Sequence, residues 1–245
     1  MNNHDAVEKQ TSAGHAANMD GVAAVERALA IAQALEVARQ PLSLTELAHH
    51  TGLYKSTILR LLVSLERGGL VVRRSDQSYT LGPFAVRLGR AYDACMPLEA
   101  SLQPLMEQLV RDGMESPSFH VVHDAHSRIC MLRVDSMHST LDRVRVGDLL
   151  PLHAGAPGKV LRQAAPDPQV ADISPLLQVS FGERDPSCAA VAGPVFGPGQ
   201  ELLGALSFSG PLDRFNLSTV HVMGPVLLAA CQKATSLLGG VWPHG

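Results

Sequence analysis

Between Ser43 and Gly69 the chain carries start and stop signals for two helices set one tight turn apart, and few folds accept that order. Ser43-Leu44-Thr45-Glu46 has the spacing of a capping box. In it the Ser43 hydroxyl accepts from the Glu46 amide while the Glu46 carboxylate reaches back. A short helix over Leu44–His50 is predicted, followed by a turn at Gly52. Ile58, Leu61, Leu62 and Leu65 then repeat at i, i+3, i+4 and i+7, the core stripe of a helix that starts near Lys55. Gly68-Gly69 supplies its stop, since glycine tolerates the left-handed C-terminal position. Upstream, Val25, Leu29, Ala32 and Leu35, with Ala28 and Ile31 beside them, predict a helix over Ala23–Ala38. Pro41 ends it. Downstream, Leu70–Arg74 and Ser78–Leu81 are short β runs around Ser75-Asp76-Gln77, a hairpin. The order is that of a winged helix-turn-helix, closed by Gly82-Pro83.

In that arrangement the second helix of the pair enters the major groove of DNA with its first turn against the base edges. Tyr54, Lys55, Ser56, Thr57 and Arg60 are the candidates there, with Thr45 at the start of the preceding helix. Positions 55, 56, 57 and 60 point away from the apolar stripe. Lys55 and Arg60 can donate to guanine or phosphate, and the hydroxyls to either. Arg73 and Arg74 lie at the wing, placed for backbone or minor-groove contact. Charge distribution agrees: the whole chain is −3, yet residues 21–90 carry +4. A basic module on an acidic chain is the footprint of a protein with one end on a polyanion.

The remainder is long enough for a second domain, because the chain has 245 residues and 46% of them are hydrophobic. Residues 1–20 show no apolar period and read as a disordered tail, with no secretory signal expected. Residues 21–83 form the winged helix and 84–97 a linker helix, roughly Phe84–Ala94. Residues 98–245 are predicted to hold a helix over Leu98–Asp112, two strands within Ser118–Val134, and an extended Arg143–Leu150. A loop running into a helix follows at Gly155–Gln163. A hairpin of Ala189–Phe196 and Leu202–Ser209 and a closing helix Asn216–Leu238 complete the list. That mixture is an α+β fold. No apolar run approaches the roughly 18 residues of a membrane span. Four cysteines (95, 130, 188, 231) without a CxxC pair fit reduced thiols and a cytoplasmic protein.

Three catalytic or metal motifs are set aside. Gly155–Val160 lacks phosphate-loop spacing, with His153 at the first glycine position and Val160 at the hydroxyl position. His120 and His123 face opposite sides of a strand and His126 sits in a turn, so no metal cluster forms. Nothing near Cys188 lowers its pKa, so it is no nucleophile. No cofactor or metal is expected.

Val25–Ala28, Leu44–Ala48, Thr51–Thr57, Arg60-Leu61-Leu62 and Tyr79–Gly82 closely resemble the winged helix of the IclR family of bacterial transcriptional regulators. Most members have proline where this chain has Tyr54. The resemblance continues through Val146–Ala154 with Gly158-Lys159, through Ser180–Glu183 and Ala192–Val195, and into Ala205–Pro211. It implies a GAF-like mixed α/β effector domain joined to the winged helix by the linker. It also implies a small-molecule pocket lined by Leu150, Ala156, Pro157, Gly158, Ala190, Ser207 and Ser209. Residue chemistry fits: Ser207 and Ser209, two apart on a strand, face one side, and loop amides before Lys159 can hold an anion. The family's longer stretch with two helices is replaced here by Val160–Val179, with Pro166, Pro168 and Pro175. A reduced outer wall of the pocket, with weaker effector binding, is implied.

The expected function is sequence-specific regulation of transcription under a small carboxylated or aromatic metabolite. The expected partners are double-stranded operator DNA and copies of the chain itself, as a homodimer or dimer of dimers. The apolar face of Val25–Leu35 and the linker Phe84–Ala94 are the expected dimer surfaces. The alternative is an enzyme acting on a small organic acid with the winged helix as a docking module. The lack of a nucleophile–base pair weighs against it.

Overall fold

The computed structural model describes residues 21–95 and 98–243; the predicted tail, residues 1–20, lies outside them. The chain divides into two compact units, with the division between Tyr92 and Asp93.

The first unit opens with α1 (Ala23–Ala38), α2 (Leu44–Thr51) and α3 (Lys55–Arg67), followed by β1 (Val71–Arg73) and β2 (Tyr79–Leu81). Both halves of the capping box form at the start of α2: Ser43 N donates to Glu46 Oε2 at 2.7 Å and Glu46 N to Ser43 Oγ at 3.3 Å. Gly52 turns the chain with φ +67°. The stop after α3 is split between the two glycines. Gly68 stays right-handed (φ −76°), and Gly69 supplies the left-handed residue. Ile31, Leu35, Leu42, Leu47, Ile58, Leu62, Val71 and Tyr79 form one core, drawn from all three helices and both strands. Each helix is amphipathic, so burying these stripes together is what holds the unit. β1 and β2 pair antiparallel, Val71 with Leu81 and Arg73 with Tyr79. Residues from Pro83 form α4 (Pro83–Cys95).

The second unit is a six-stranded antiparallel sheet in the order β5-β4-β3-β8-β7-β6. Its strands are β3 (Ser116–Val122), β4 (Ser127–Arg133), β5 (Leu149–Pro151), β6 (Gln178–Phe181), β7 (Cys188–Phe196) and β8 (Leu202–Pro211). Helices α5 (Leu98–Arg111) and α7 (Leu217–Leu237) contribute to the main core on one face. There Leu102, Met106, Leu227 and Ala234 meet Phe119, Val191, Leu206 and Phe208. Short α6 (Ala156–Leu161) packs with Ala192 and Ala205 in a separate cluster. Alternation along a strand makes this possible, since successive side chains leave by opposite faces. α7 is capped as its sequence suggests, Asn216 and Thr219 exchanging bonds of 2.9 Å.

Two stretches depart from the sequence expectation. Only Leu149–Pro151 of the stretch from Arg143 onward is strand, with a turn at Val146-Gly147. The Gly147 amide instead donates to Cys130 O at 2.8 Å. β6 was not foreseen; its four residues are too few to show a period. Between α6 and β6 the proline-bearing stretch forms turns. It seats Val170 and Leu177 in the main core. No helix among the described residues is long and apolar enough to cross a membrane.

Candidate DNA-reading ridge and effector cavity

In the first unit the α3 stripe turns Ile58 and Leu62 inward, which leaves Lys55, Ser56 and Arg60 exposed and Thr57 half-buried. Lys55 Nζ donates to Thr45 Oγ1 at 2.8 Å. The first turns of α2 and α3 therefore share one polar ridge. Tyr54 stands at its head as N-cap residue of α3, 85% exposed, with φ −67°. That is the φ a proline would impose, so the helix starts at Lys55 without one. The Arg60 and Ser56 side chains make no hydrogen bond or ion pair with the described residues, and their donors are free for a ligand. Leu59 (45% exposed) and Val63 (57%) lie on this outer side as well. Pattern reading passed over them because apolar side chains were assigned inward.

At the wing, the Arg73 guanidinium lies 5.8 Å over the Tyr79 ring. Arg74 approaches Asp76 at 3.7 Å, both more than half exposed. Such a pair contributes little and leaves Arg74 able to exchange Asp76 for a phosphate. Hydrogen bonds from Ser78 to Asp76 shape this turn and hold the Asp76 carboxyl below the usual carboxylate range.

In the second unit a small cavity lies on the sheet face opposite the main core. Ser118 and His120 reach it from β3, Arg128 from β4, Ala190 from β7, and Ser207 and Ser209 from β8. Leu150, Gly155, Pro157, Asp142 and Arg184 close it. Of the expected lining, Leu150, Pro157, Ala190, Ser207 and Ser209 are present. Ala156 and Gly158 are not. Ala156 is buried in the α6 cluster. Gly158 is pressed against the loop, where a Cβ would stand 2.4 Å from Leu152 O. The expected anion cradle of loop amides also fails to appear. The Gly155 amide donates to Glu183 Oε2 at 3.2 Å, Pro157 has no N–H, and α6 is a single short turn and a half. Lys159 is tied to Glu183 at 2.5 Å and to Val179 O at 2.7 Å, so it serves the fold.

Sequence reasoning had not singled out Ser118, His120, Arg128, Asp142, Ser180, Arg184 or Asp185 as polar lining residues. Ser118 Oγ lies 2.9 Å from His120 Nε2 and 3.1 Å from Ser207 Oγ, a buried chain of three. Burial, then the charges of Arg128, Arg133 and Arg184, hold the His120 imidazole well below its ordinary pKa. It is neutral near pH 7. Asp142 accepts from Arg133 Nη2 at 2.5 Å. Cys188 lines the cavity too, but its sulfur meets Ser187 Oγ at 3.7 Å rather than an imidazole. Among the described residues no three metal-ligating side chains converge.

Residues 24–75 match the family model of the IclR helix-turn-helix domain. Similarity extends well past that segment. The chain is 24% identical to the transcriptional repressor IclR of Escherichia coli over 90% of its own length and 91% of the relative's. It is 26% identical to a helix-turn-helix regulator of Paracoccus denitrificans over 87% and 86%.

The chain thus carries an IclR-type helix-turn-helix and is similar along most of its length to IclR-family transcriptional regulators.

Solved structures share its fold. An IclR-family regulator from a Silicibacter species superposes with a TM-score of 0.73 at 24% identity, over 90% of this chain and 98% of that one. An IclR homologue from Microbacterium hydrocarbonoxydans, crystallised with 4-hydroxybenzoate, superposes with a TM-score of 0.71 at 19% identity, over 88% and 98%. The chain is a DNA-binding transcriptional regulator built of an N-terminal helix-turn-helix and a mixed α/β domain.

Proposed function

We propose that the ridge of Thr45, Tyr54, Lys55, Ser56, Thr57 and Arg60 reads a specific operator. Arg73 and Arg74 hold the flanking backbone, and a small metabolite in the cavity of the second unit sets whether the operator is bound. The observation that carries this is the exposed, unpartnered Arg60 beside Lys55 on the leading half of α3. Charged donors there are costly to leave without an acceptor only when desolvated, so on the surface they cost the fold nothing and remain available to DNA. The relative crystallised with 4-hydroxybenzoate supports a metabolite as the second partner.

A two-fold dimer would present two ridges about one helical turn, or a multiple of it, apart. The surface for it is narrower than the α1 sequence suggests. Ile31 and Leu35 are spent in the core, whereas Val22, Val25 and Leu29 are exposed, as are Val86, Leu88 and Tyr92 on α4. A metabolite shifts operator occupancy only through unequal affinity for the two states. The action lies in the cytoplasm, with the DNA.

Footprinting on the chain's own promoter tests the proposal. Specific protection should disappear in a Lys55→Ala, Arg60→Ala double variant that keeps the wild-type circular dichroism. Equal binding to operator and random duplex at moderate salt would refute sequence-specific reading.

A further inference from the structure

A second hollow opens in the same unit, at the other end of α6. Pro157, at the start of that helix, lines the cavity described above; Val160, three residues on, lines the hollow. Leu176, Pro194 and Phe196 of β7 and Leu202 of β8 complete its apolar wall. Pro194 stands four residues beyond Ala190 along β7, so both leave the sheet by one face. The hollow measures about 210 Å³, against about 30 Å³ for the first cavity. An apolar hollow of roughly 150 Å³ takes up benzene. This one therefore holds a six-membered ring with a short substituent.

Its chemistry also differs from that of the first cavity, where Arg128, Asp142, Arg184 and Asp185 all reach the wall. The ten residues around the hollow include no Asp, Glu, Lys, Arg or His. An ion entering it loses water and gains no counter-charge, which is costly. The polar groups are three carboxamides, Gln163, Gln178 and Gln200. Gln178 is only 4% exposed. Its Nε2 donates to Ala165 O at 3.0 Å. Its Oε1 meets no donor among the described residues, yet it is not sealed from solvent. A buried acceptor left in that condition favours a guest that brings a donor. Gln163 and Gln200 stand exposed at the rim, and their side chains make no hydrogen bond with the described residues.

We infer that this hollow is a second ligand site, and that it takes an uncharged ring compound bearing a hydrogen-bond donor, such as a primary carboxamide or a phenol. The ring lies against Pro194 and Phe196, and the donor goes to Gln178 Oε1. The carbonyl of a carboxamide accepts from Gln163 or Gln200 at the rim. Seated against Val160, the guest bears on the helix whose other end lines the first cavity. The site does not depend on that cavity being the effector site.

Full-length protein is titrated calorimetrically with benzamide, benzoate and acetophenone, which share one shape. Benzoate replaces the amide nitrogen by a charged oxygen, and acetophenone replaces it by a methyl that donates nothing. Benzamide should bind at millimolar concentration or below. Acetophenone should bind about threefold to tenfold more weakly, which is the worth of one neutral hydrogen bond. Benzoate should bind at least tenfold more weakly, as entry of an unpaired charge implies. Benzamide should also change the emission of Trp242, the chain's only tryptophan, whose ring meets the Phe196 ring edge-on with centres 5.5 Å apart. Gln178→Leu should cost benzamide about threefold to tenfold, for the same lost hydrogen bond. Ala164→Phe crowds the exposed rim and should abolish binding, whereas Ser209→Ala in the first cavity should leave it unchanged. No benzamide binding, or benzoate or acetophenone binding as tightly, would overturn the inference. So would unchanged Trp242 emission at saturation, or benzamide affinity lost in Ser209→Ala and kept in Gln178→Leu. If Gln178→Leu fails to fold, Ala164→Phe decides: benzamide binding within about twofold of wild type there refutes the site.

Discussion

Gly82 joins the wing to α4, and replacing it with alanine isolates a single steric effect. Its φ is not in the left-handed region, so the backbone accepts any residue; what is lacking is space. A Cβ there would lie 2.3 Å from Gly69 O and 3.1 Å from Val72 Cγ2. To reach an ordinary contact the Gly69 carbonyl must retreat by about 1 Å. That carbonyl accepts from Phe84 N at 3.1 Å, and Gly82 N donates to Leu70 O at 2.8 Å. Overpacking of this kind costs about 1–3 kcal/mol and each weakened bond about 0.5–1.5 kcal/mol, so the sum is about 2–5 kcal/mol. A unit of about 70 residues has a margin of about 4–11 kcal/mol. Gly82→Ala should therefore lower the melting transition of the first unit by more than about 8 °C in far-UV circular dichroism. Gly89→Ala is the control. It makes the same chemical change inside α4 with nothing within 4 Å of the new Cβ. Removing a helix-interior glycine should stabilise by about 0.5–1 kcal/mol. Two variants of equal composition should move in opposite directions. A Gly82→Ala melt within 1 °C of wild type, or a Gly89→Ala melt that falls as far, would refute the steric account.

Three further predictions follow from local geometry. Ser43→Ala removes the capping box and should cost about 1 kcal/mol, seen as a lower denaturation midpoint with an unchanged slope. Tyr54→Pro suits φ −67°, and the Tyr54 amide donates to no described residue. It should raise stability by about 0.4–1 kcal/mol while operator affinity falls severalfold with loss of the exposed ring; a lower melting point would contradict this. His120 is held neutral in the fold, whereas in the unfolded chain it titrates near 6.5. Below pH about 6.5 the unfolded state takes up the extra proton, so stability falls with pH by about 1.4 kcal/mol per unit. His120→Gln should flatten that limb in urea titrations between pH 6.5 and 4.5.

What could be read from the chain alone follows the range of the interactions. Helices α1 to α3 are written in local signals: a capping box within four residues, a stripe within eight, a glycine at the stop. Ser207 and Ser209 share a face by period alone. Arg128 and His120 were beyond such reasoning. Whether an arginine next to a hairpin turn points to solvent or inward depends on strand register. Here Val122 opposes Arg128 and His120 opposes Cys130, beyond a shift in the β3–β4 ladder between Phe119 and His120. The fate of the Gly155 amide depends likewise on Glu183, 28 residues away. Val25–Leu35 misled for the opposite reason. Its stripe was read correctly as apolar, but periodicity does not say which end of a helix its own core consumes.

The central strand β8 hands alternate residues to opposite layers. Leu206 and Phe208 go to the packed helices, and Ser207 and Ser209 go to the cavity. Each hydroxyl is one peptide bond from an aromatic or aliphatic anchor that cannot slide without disturbing α7. A guest that pulls on Ser207 therefore tugs at Phe208, and the ribbon acts as a lever with its pulling end and its working end one residue apart.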